Sequence, residues 1–476
     1  MRLVIVGGGG FRVPLVYRAL LGEQAQPITE VVLYDTDRAR AVIVGGVLAD
    51  LARRPAPGRA PSVRIADDLN DALIGADFVF FAVRPGGVAG RVLDERIALR
   101  HGVLRQETVG AGGIAFGLRT VPVALDLARR VDERAPQAWT ITFTNPAGLV
   151  TEAMRTVLGD RVIGICDSPS GLIRRVATVL GAEEVDFDYV GLNHLGWLRS
   201  VTVDGRDLLP GLLADEARLA RIEEGRLFGA PWLRALGAIP NEYLHYFYFA
   251  REALRSIQTA PRTRGEYLAE QQDGFYARLG QYPTDPTDPT DPTGPAGPAA
   301  QWDHVRGERD ASYLAEARHA AGAGERDAAD LSSGGYEHIA LQLMLRLAGS
   351  GSDLGSEAGS RADSDSGSVG KRPLVLNVAN AAAVTELDDD AVIEVPCSVD
   401  PTGVRARPVA RLTDHQAGLM RTVKAVERAV VEAATTGSSA AALRAFALHP
   451  LVDSVTVARA LLADYRTALP ELGYLR

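Results

Sequence analysis

The sequence predicts an α/β fold: a Rossmann-type doubly wound parallel sheet, followed by a second, mixed and mostly helical α+β domain. Four short apolar runs alternate with helix-like stretches in the first third of the chain, which is typical of a parallel sheet covered by helices. The runs lie at 3–6, 31–34, 78–83 and 140–143, and the helix-like stretches include 13–21 and 39–51. We therefore predict a first domain at 1–195.

The second domain is predicted at 196–476, because the strand–helix alternation fades after about residue 195. Long amphipathic patterns at 412–434 and 440–469 predict helices, and a β-rich passage at 392–399 precedes them. Two biased segments interrupt this half, near 284–300 and 350–371. The first repeats Thr-Asp-Pro three times and the second is rich in Gly, Ser and Asp. Both compositions predict disordered insertions that are dispensable for function.

Composition restricts the classes of function. The chain has 476 residues, 46% of them hydrophobic and 23% charged, which is ordinary for a globular enzyme. A net charge of −9 predicts no nucleic-acid partner and no binding to an anionic membrane. No apolar run approaches the roughly 20 residues that span a bilayer. Only two cysteines occur and the first residues enter a strand pattern directly, so we expect a cytoplasmic protein.

A nucleotide site is predicted where the first strand ends. The strand is followed by Gly7, Gly8, Gly9, Gly10, Phe11 and Arg12. Glycines let the backbone approach a pyrophosphate, whose charge the N-terminus of the next helix favours. The pattern departs from G-x-G-x-x-G, because Arg12 occupies the place of the third glycine. Asp35 ends the second strand, where a carboxylate binds ribose hydroxyls and repels a 2′-phosphate, which favours NAD over NADP.

Polar residues follow several of the predicted strands. Arg84 and Arg91 carry forked guanidiniums suited to a phosphate or a carboxylate. Gln106-Glu107-Thr108 and Thr144-Asn145-Pro146 come next, and Asn145 could hold sugar hydroxyls. Each of these clusters could equally be a turn or surface feature when taken alone.

A divalent-metal site is the most specific hypothesis. Cys166 and His194 each come shortly after an apolar run, at 161–165 and 187–190, where a parallel sheet would present its ligand-binding edge. A thiolate and an imidazole are both usable metal ligands. The alternatives stay open from spacing alone: a buried cysteine acting as a small hydrophobe, and a hydrogen-bonded structural histidine.

Taken together and in order, these motifs resemble glycoside hydrolase family 4. The set comprises Gly7–Gly10, Arg84-Pro-Gly-Gly, Gln106-Glu-Thr, Thr144-Asn-Pro, Gly164-Ile-Cys-Asp, Gly191-Leu-Asn-His and Pro240-Asn-Glu-Tyr-Leu-His-Tyr. The similarity continues through Asn377-Val-Ala-Asn, Ile393-Glu-Val-Pro-Cys and His449-Pro450, so it covers nearly the whole chain except the two insertions. This family is the NAD-dependent exception to the two-carboxylate scheme of glycoside hydrolysis.

The resemblance implies an NAD⁺- and Mn²⁺-dependent hydrolase of 6-phospho-glucosides, with a phosphorylated disaccharide or glucoside as substrate. The implied reaction oxidises C3 of the sugar, removes the proton on C2, expels the aglycone from C1, adds water and returns the hydride. The resemblance implies that Mn²⁺ acts as a Lewis acid on the C2 and C3 oxygens, and another divalent metal could take its place. A homodimer or homotetramer is expected.

The resemblance also implies residue roles. Cys166 and His194 match the metal ligands, and Tyr243 matches the base that removes the C2 proton, with Tyr246 and Tyr248 as competitors. Glu107 matches a residue credited with raising the basicity of that tyrosine. The cofactor is assigned to Gly7, Gly8, Gly9, Gly10, Phe11, Arg12, Asp35 and Arg84, and the substrate to Arg91, Asn145 and Arg264. Arg262 lies close enough to Arg264 that either could meet the phosphate.

The anomeric preference stays open at this level. Asp167 directly follows the metal cysteine, where members that cleave α-glycosides carry an aspartate able to protonate the leaving group. Tyr-Leu-His-Tyr and Ile-Glu-Val-Pro-Cys look closer to the 6-phospho-β-glucosidases, so we favour β. An α-glycosidase of the same family is one alternative. A second is a 2-hydroxyacid dehydrogenase of the lactate/malate type, which shares the sheet but needs no Cys/His metal pair.

Overall fold

The computed structural model describes residues 1–24, 26–104, 106–280, 297–326, 335–350 and 372–476. Within this part of the chain, thirteen strands form one sheet. Their bounds are β1 Arg2–Val6, β2 Glu30–Tyr34, β3 Ser62–Ile65, β4 Phe78–Phe81, β5 Trp139–Thr142, β6 Val162–Gly164, β7 Asp186–Leu192, β8 Leu195–Val203, β9 Arg206–Asp207, β10 Ile239–Pro240, β11 Leu374–Ala379, β12 Val392–Asp400 and β13 Gly403–Ala406.

The sheet has a parallel and an antiparallel half. β3, β2, β1, β4, β5 and β6 lie side by side in that order and run parallel, which is the doubly wound order of dinucleotide-binding folds. Beyond β6 the sheet continues through β11, β12, β7, β8 and β10, all antiparallel. In β1, Leu3, Val4 and Ile5 are fully buried, as expected of a central strand covered on both faces.

Helices cover both faces of the parallel half, and shorter ones such as Leu209–Ala214 pack against the antiparallel strands. Those of the first half of the chain are Val13–Gly22, Arg38–Ala52, Leu69–Leu73, Gly87–Arg100, Gly110–Arg134, Ala147–Leu158 and Ser168–Leu180. Those of the second half are Leu209–Ala214, Glu216–Leu219, Glu223–Phe228, Ala230–Leu236, His245–Tyr248, Ala250–Thr259, Arg264–Leu279, Pro298–Ala311, Ala315–Ala321, Tyr336–Leu347, Asp414–Thr436, Ser439–Leu448 and Val455–Ala468. Short 3₁₀ turns occur at Gly159–Arg161, Glu242–Leu244 and Pro470–Leu472.

One helix, Gly110–Arg134, is apolar enough and long enough to cross a membrane, judged by length and composition, among the residues that the structure describes. Of its most apolar 18-residue window, 83% is buried inside the protein. It packs between the sheet and the C-terminal helices, in a cluster that includes Leu118, Val121, Val430 and Phe446. A core helix of this kind passes the same compositional test.

The predicted fold class is confirmed, with differences in detail. The pattern at 440–469 forms two helices rather than one, because Pro450 lacks a backbone N–H and disfavours helix at the preceding residue. The insertion predicted near 284–300 ends earlier than expected: Pro298 opens a helix, since proline is tolerated in a first turn. The remainder of that insertion up to residue 296, and 351–371 of the second, lie outside the described residues.

His194 lies in a different local setting from the predicted one. It occupies the second position of the two-residue turn between β7 and β8, which are antiparallel. The expectation of a carboxyl edge of parallel strands was therefore wrong for this residue, although it holds for Cys166, which follows β6. Apolar runs of four residues do not distinguish the two kinds of pairing.

Candidate functional site

A cleft of about 670 Å³ opens at the carboxyl ends of β1, β4, β5 and β6 and is covered by helices of the second half of the chain. This is the edge at which doubly wound sheets bind ligands. Most of the predicted site residues line it together: Gly7, Gly9, Gly10, Phe11, Arg12, Arg84, Arg91, Glu107, Asn145, Cys166, Asp167, His194, Tyr243 and Arg264. Gly8 and Asp35 are not among the lining residues.

The glycine loop between β1 and the first helix forms the floor at one end of the cleft. Gly7 has φ +93°, and a Cβ there would lie 2.4 Å from the Ala82 carbonyl oxygen, so the close approach of β1 to β4 requires glycine. The helix Val13–Gly22 begins directly after Arg12, whose side chain does not cap it. The first backbone N–H groups of this helix already donate to the Gly10 and Arg12 carbonyls at 3.1 Å, so its attraction for an anion comes from the helix dipole.

Asp35 stabilises this loop from outside the cleft lining. Its Oδ2 accepts a hydrogen bond from the Gly9 N–H at 2.9 Å, and its Oδ1 accepts one from the Asp37 N–H at 2.9 Å. Phe11 also has a structural part, since its buried ring packs edge-on against Phe275 at 5.1 Å between centroids. Roles of Asp35 and Phe11 toward a cofactor remain predictions.

Glu107 is held between two arginines in the middle of the cleft. Its carboxylate forms ion pairs with Arg84 and Arg91, and Arg91 also pairs with Glu95 at 2.9 Å. Burial alone would raise the pKa of Glu107, but the two guanidiniums lower it to about 2. Among the described residues Glu107 makes no hydrogen bond to Tyr243, so the predicted activation of that tyrosine does not rest on direct contact.

Tyr243 lies in the cleft with its ring stacked on His194, at 3.7 Å between centroids and 7° between planes. The Asn241 side chain accepts from the Tyr243 N–H at 3.0 Å and fixes the start of this turn. The phenol oxygen is hydrogen-bonded to the hydroxyl of Tyr313 at 2.9 Å. Burial, with the charge of Glu242, raises the pKa of Tyr243 well above its ordinary value.

The two competing tyrosines differ in position. Tyr246 is buried and lines the same cleft, so it remains a candidate. Tyr248 does not line it; its hydroxyl accepts from the Trp197 indole N–H at 2.8 Å and contacts His415 at 2.9 Å. Geometry therefore removes Tyr248 from the set of candidate bases.

Glu242 and Tyr313 are site residues that the sequence did not indicate. One Glu242 oxygen accepts from the Ser168 hydroxyl at 2.6 Å and from the Tyr313 hydroxyl at 3.3 Å. Burial, with the charge of Glu224, raises the pKa of Glu242 to about 7. Tyr243, Tyr313 and Glu242 thus form a hydrogen-bonded chain that ends in a carboxyl group able to ionise near neutrality.

Cys166 and His194 are both buried and both line the cleft. Burial lowers the pKa of His194 to about 3, so the imidazole is neutral and can act as a ligand. Burial raises the pKa of the Cys166 thiol, as do the nearby charges of Glu394 and Asp167. That local negative charge disfavours a bare thiolate and favours a bound cation.

The donor set fits a divalent metal held by only two protein side chains. Within the described residues, no group of three or more His, Cys, Asp or Glu side chains is placed to hold a metal ion. A neutral imidazole and a thiol leave room for oxygen donors from a bound molecule. Such an open arrangement is typical of a catalytic rather than a structural site.

Three arginines gather at another part of the cleft. Thr263 caps the helix Arg264–Leu279, which fixes Arg264 at its first position, where it donates to Ser312 Oγ at 2.6 Å and to the Arg309 carbonyl at 3.0 Å. Arg309 Nη1 is buried and has no hydrogen-bond partner in the described structure. Burial and the charges of Arg12 and Arg264 lower the pKa of Arg309. Arg262, in contrast, is half-exposed and paired with Glu270, outside the cleft lining.

Comparison with known proteins identifies the family to which the chain belongs. The family model described as "Family 4 glycosyl hydrolase" matches residues 2–182, and "Family 4 glycosyl hydrolase C-terminal domain" matches residues 189–452. A relative named probable 6-phospho-beta-glucosidase, from Bacillus subtilis, is 29% identical over 98% of this chain and 95% of its own length.

Solved structures of 6-phospho-glucosidases also match this chain. The 6-phospho-beta glucosidase from Thermotoga maritima, crystallised with NAD and glucose-6-phosphate, matches with a TM-score of 0.77 and 26% identity over 99% of both chains. A second structure of that enzyme contains manganese, NAD⁺ and glucose-6-phosphate and matches with a TM-score of 0.76. A 6-phospho-alpha-glucosidase from gut microorganisms, with NAD and glucose-6-phosphate, matches with a TM-score of 0.76 and 25% identity over 100% of this chain and 99% of its own. This chain belongs to family 4 of the glycosyl hydrolases.

Proposed function

We propose that this protein hydrolyses 6-phospho-glucosides and requires NAD⁺ and a divalent metal such as Mn²⁺. The observation that carries the proposal is that one cleft brings together the glycine loop, the Cys166 and His194 pair, Tyr243 and the arginines around Arg309. A plain dehydrogenase needs no such thiol–imidazole pair. When bound, NAD⁺ would supply a reversible hydride acceptor, and the metal would supply Lewis-acid stabilisation of sugar oxygens.

The cofactor would lie along the glycine loop. The dipole of the helix Val13–Gly22 and the Arg12 guanidinium would attract the pyrophosphate. Asp35 would reach a ribose only with lone pairs left over from the Gly9 and Asp37 N–H groups, because a carboxylate has about four acceptor sites. Arg84 would act mainly by holding Glu107 in place.

Tyr243 would remove the proton on C2 of the sugar. Its ring stacks on His194, so the proposed base and the proposed metal ligand are in direct contact. A phenol is almost entirely protonated at neutral pH, and burial, by raising the pKa of Tyr243, makes the phenolate form scarcer still. The hydrogen-bonded chain through Tyr313 to Glu242 offers a path for the phenolic proton, which supports the role despite that cost.

Arg264 and Arg309 would hold the 6-phosphate. Both line the cleft, and the buried Nη1 of Arg309 has no acceptor among the described residues. Arg91 would contact the substrate only with the part of its guanidinium that Glu95 and Glu107 leave free. Asn145 lines the cleft after β5 and would bind a sugar hydroxyl.

For the anomer, we propose the β-glycoside, as in a 6-phospho-β-glucosidase, on the strength of the Tyr-Leu-His-Tyr and Ile-Glu-Val-Pro-Cys segments. Relatives of both preferences match this chain. Asp167 lines the cleft, and its side chain does not cap the helix that it precedes. Protonation of a leaving group by Asp167 would be compatible with this position, which supports the α-glycosidase as the second candidate.

The deciding experiment is hydrolysis of nitrophenyl α- and β-glucoside 6-phosphates beside their unphosphorylated forms, with and without NAD⁺ and Mn²⁺. We expect turnover of the phosphorylated β-glycoside only when both additions are present, with no net formation of NADH. Full activity in cofactor-stripped protein would refute the redox mechanism. Preference for the α-glycoside, lost in Asp167→Asn, would overturn the β assignment and leave the rest intact.

The dehydrogenase alternative is not supported. His194 is the only histidine that lines the cleft in the described structure, and burial lowers its pKa to about 3, which makes it a poor general base. A location in the cytoplasm, a homodimer or homotetramer, and a division into domains at residue 195 belong to the proposal as well. Size-exclusion chromatography with light scattering would test the oligomer.

A further inference from the structure

A hydrogen-bonded chain leads away from the cleft behind His194. Thr108 Oγ1 lies 2.7 Å from His194 Nδ1, and the same oxygen lies 3.0 Å from Gln106 Oε1. Heavy-atom distances alone do not say which way the hydrogens point. The other hydrogen bonds of Gln106 establish the direction.

Gln106 Oε1 accepts two backbone N–H groups, those of Thr108 at 2.6 Å and of Val109 at 3.0 Å. An amide nitrogen in that position would face two donors, so the oxygen is correctly assigned. A threonine hydroxyl has one hydrogen. If Thr108 gave it to His194, two acceptor oxygens would lie 3.0 Å apart with no hydrogen between them. Thr108 therefore donates to Gln106 and accepts from His194.

We propose that Gln106 and Thr108 are positioning residues that hold His194 in the tautomer protonated at Nδ1, which leaves the lone pair of Nε2 to bind the metal. The part of this inference that concerns metal affinity rests on the function proposed above. The inference about the tautomer does not depend on that function. Outer contacts of this kind commonly change metal affinity by about 10–100-fold.

The backbone conformation of His194 and a ring stack fix the plane of the imidazole but not which of its two edges faces Thr108. His194 has φ +63° in the β7–β8 turn, a left-handed conformation that is unfavourable for a non-glycine residue and sets the direction of the side chain. The ring stacks face to face on Tyr243. A half-turn about the Cβ–Cγ bond would keep that stack but place a carbon atom against Thr108 Oγ1. The hydrogen bond to Thr108 is thus what distinguishes the two ring orientations.

The matched variants are Thr108→Val, which keeps the shape but removes the hydroxyl, and Thr108→Ser, which keeps the hydroxyl. The metal-free protein would be labelled with ¹⁵N-histidine, and the His194 resonances would be identified by their loss in His194→Ala. We expect a protonated Nδ1 and an unprotonated Nε2 in the parent and in Thr108→Ser. Thr108→Val should give a mixed or reversed tautomer.

The second measurement is the dissociation constant of Mn²⁺ alone, from the electron paramagnetic resonance signal of the free ion. We expect it to rise about tenfold or more in Thr108→Val and to stay near the parental value in Thr108→Ser, with melting temperatures within a few degrees of the parental one. A parent protonated at Nε2, or Thr108→Val with parental tautomer and affinity, would overturn the inference. A tautomer change without any Mn²⁺ binding in the parent would support the positioning role and refute the metal function.

Discussion

Replacing Tyr243 by Phe should separate catalysis from folding. The phenylalanine keeps the ring that stacks on His194 at 3.7 Å and removes only the hydroxyl. In the part of the chain that the structure describes, the one hydrogen bond lost is that to Tyr313 at 2.9 Å, and Tyr313 can still donate to Glu242. The cost to the free energy of unfolding should be about 1 kcal/mol, the net worth of an ordinary hydrogen bond.

The cost to catalysis should be far larger. Loss of a positioned general base lowers a rate by about 10²–10⁴-fold, which corresponds to about 3–5 kcal/mol of activation free energy. Because neither NAD⁺ nor the metal would contact the phenol, their dissociation constants should stay near the parental values. The variant should therefore be folded, loaded and nearly inactive.

The assay is hydrolysis of a nitrophenyl glucoside 6-phosphate in D₂O, followed by analysis of the product at C2. The parent should place deuterium at C2, because the abstracted proton exchanges with solvent before it returns. Tyr248→Phe is the matched control, since it removes a hydroxyl outside the cleft and should keep the parental rate. Product without C2 deuterium would refute proton abstraction, and incorporation at the parental rate in Tyr243→Phe would transfer the role to Tyr246.

Three further predictions concern the metal, the phosphate and the pH profile. Cys166→Ser should weaken Mn²⁺ binding sharply at unchanged fold, because the thiol is one of the two proposed protein ligands; parental turnover of the variant without added metal would contradict the site. Arg309→Ala should raise KM for the phosphorylated substrate about 10–100-fold, whereas Arg262→Ala, outside the cleft, should leave it unchanged; equal effects would refute the phosphate assignment. The ionised form of Glu242 is the one that accepts from Tyr313, and the pKa of Glu242 is raised to about 7, so kcat of the parent should increase as pH rises through 7. If the same increase of kcat with pH persists in Glu242→Gln, another group is responsible for it.

The parallel half of the fold could be predicted from the sequence because its signals are local. Continuous apolar runs such as Leu3–Val6 mark buried strands, and the glycines after them mark the turn at the ligand-binding edge. In the antiparallel half the sequence indicated strand segments at 187–190 and 392–399 but not their direction or partners. β11, Leu374–Ala379, pairs with β12 after it in the chain and also with β6, which lies more than 200 residues earlier. A six-residue run carries no information about so distant a partner.

The candidate site divides in the same way. Residues in ordered motifs, such as Cys166 and Tyr243, could be named from the sequence, and they do line the cleft. Tyr313 and Arg309 could not, because they belong to no motif and reach the cleft only through the packing of the segment that follows residue 297. Glu242 was visible beside Tyr243, yet nothing local indicated that its carboxyl group would be buried with a pKa of about 7.

The distribution of charge in the cleft explains why a phosphorylated sugar suits it. Around Cys166, the carboxyl groups of Glu394, Asp167 and Glu242 disfavour the thiolate and favour a cation. Around Arg309, the guanidiniums of Arg12 and Arg264 oppose its positive charge. Clustered cations removed from water are costly unless an anion neutralises them. A 6-phosphate would relieve that cost at one part of the cleft, while a metal would relieve the opposite one. A glucoside without phosphate would leave the buried Arg309 Nη1 without an acceptor among the described residues, which is the physical reason to expect the phosphate to be required.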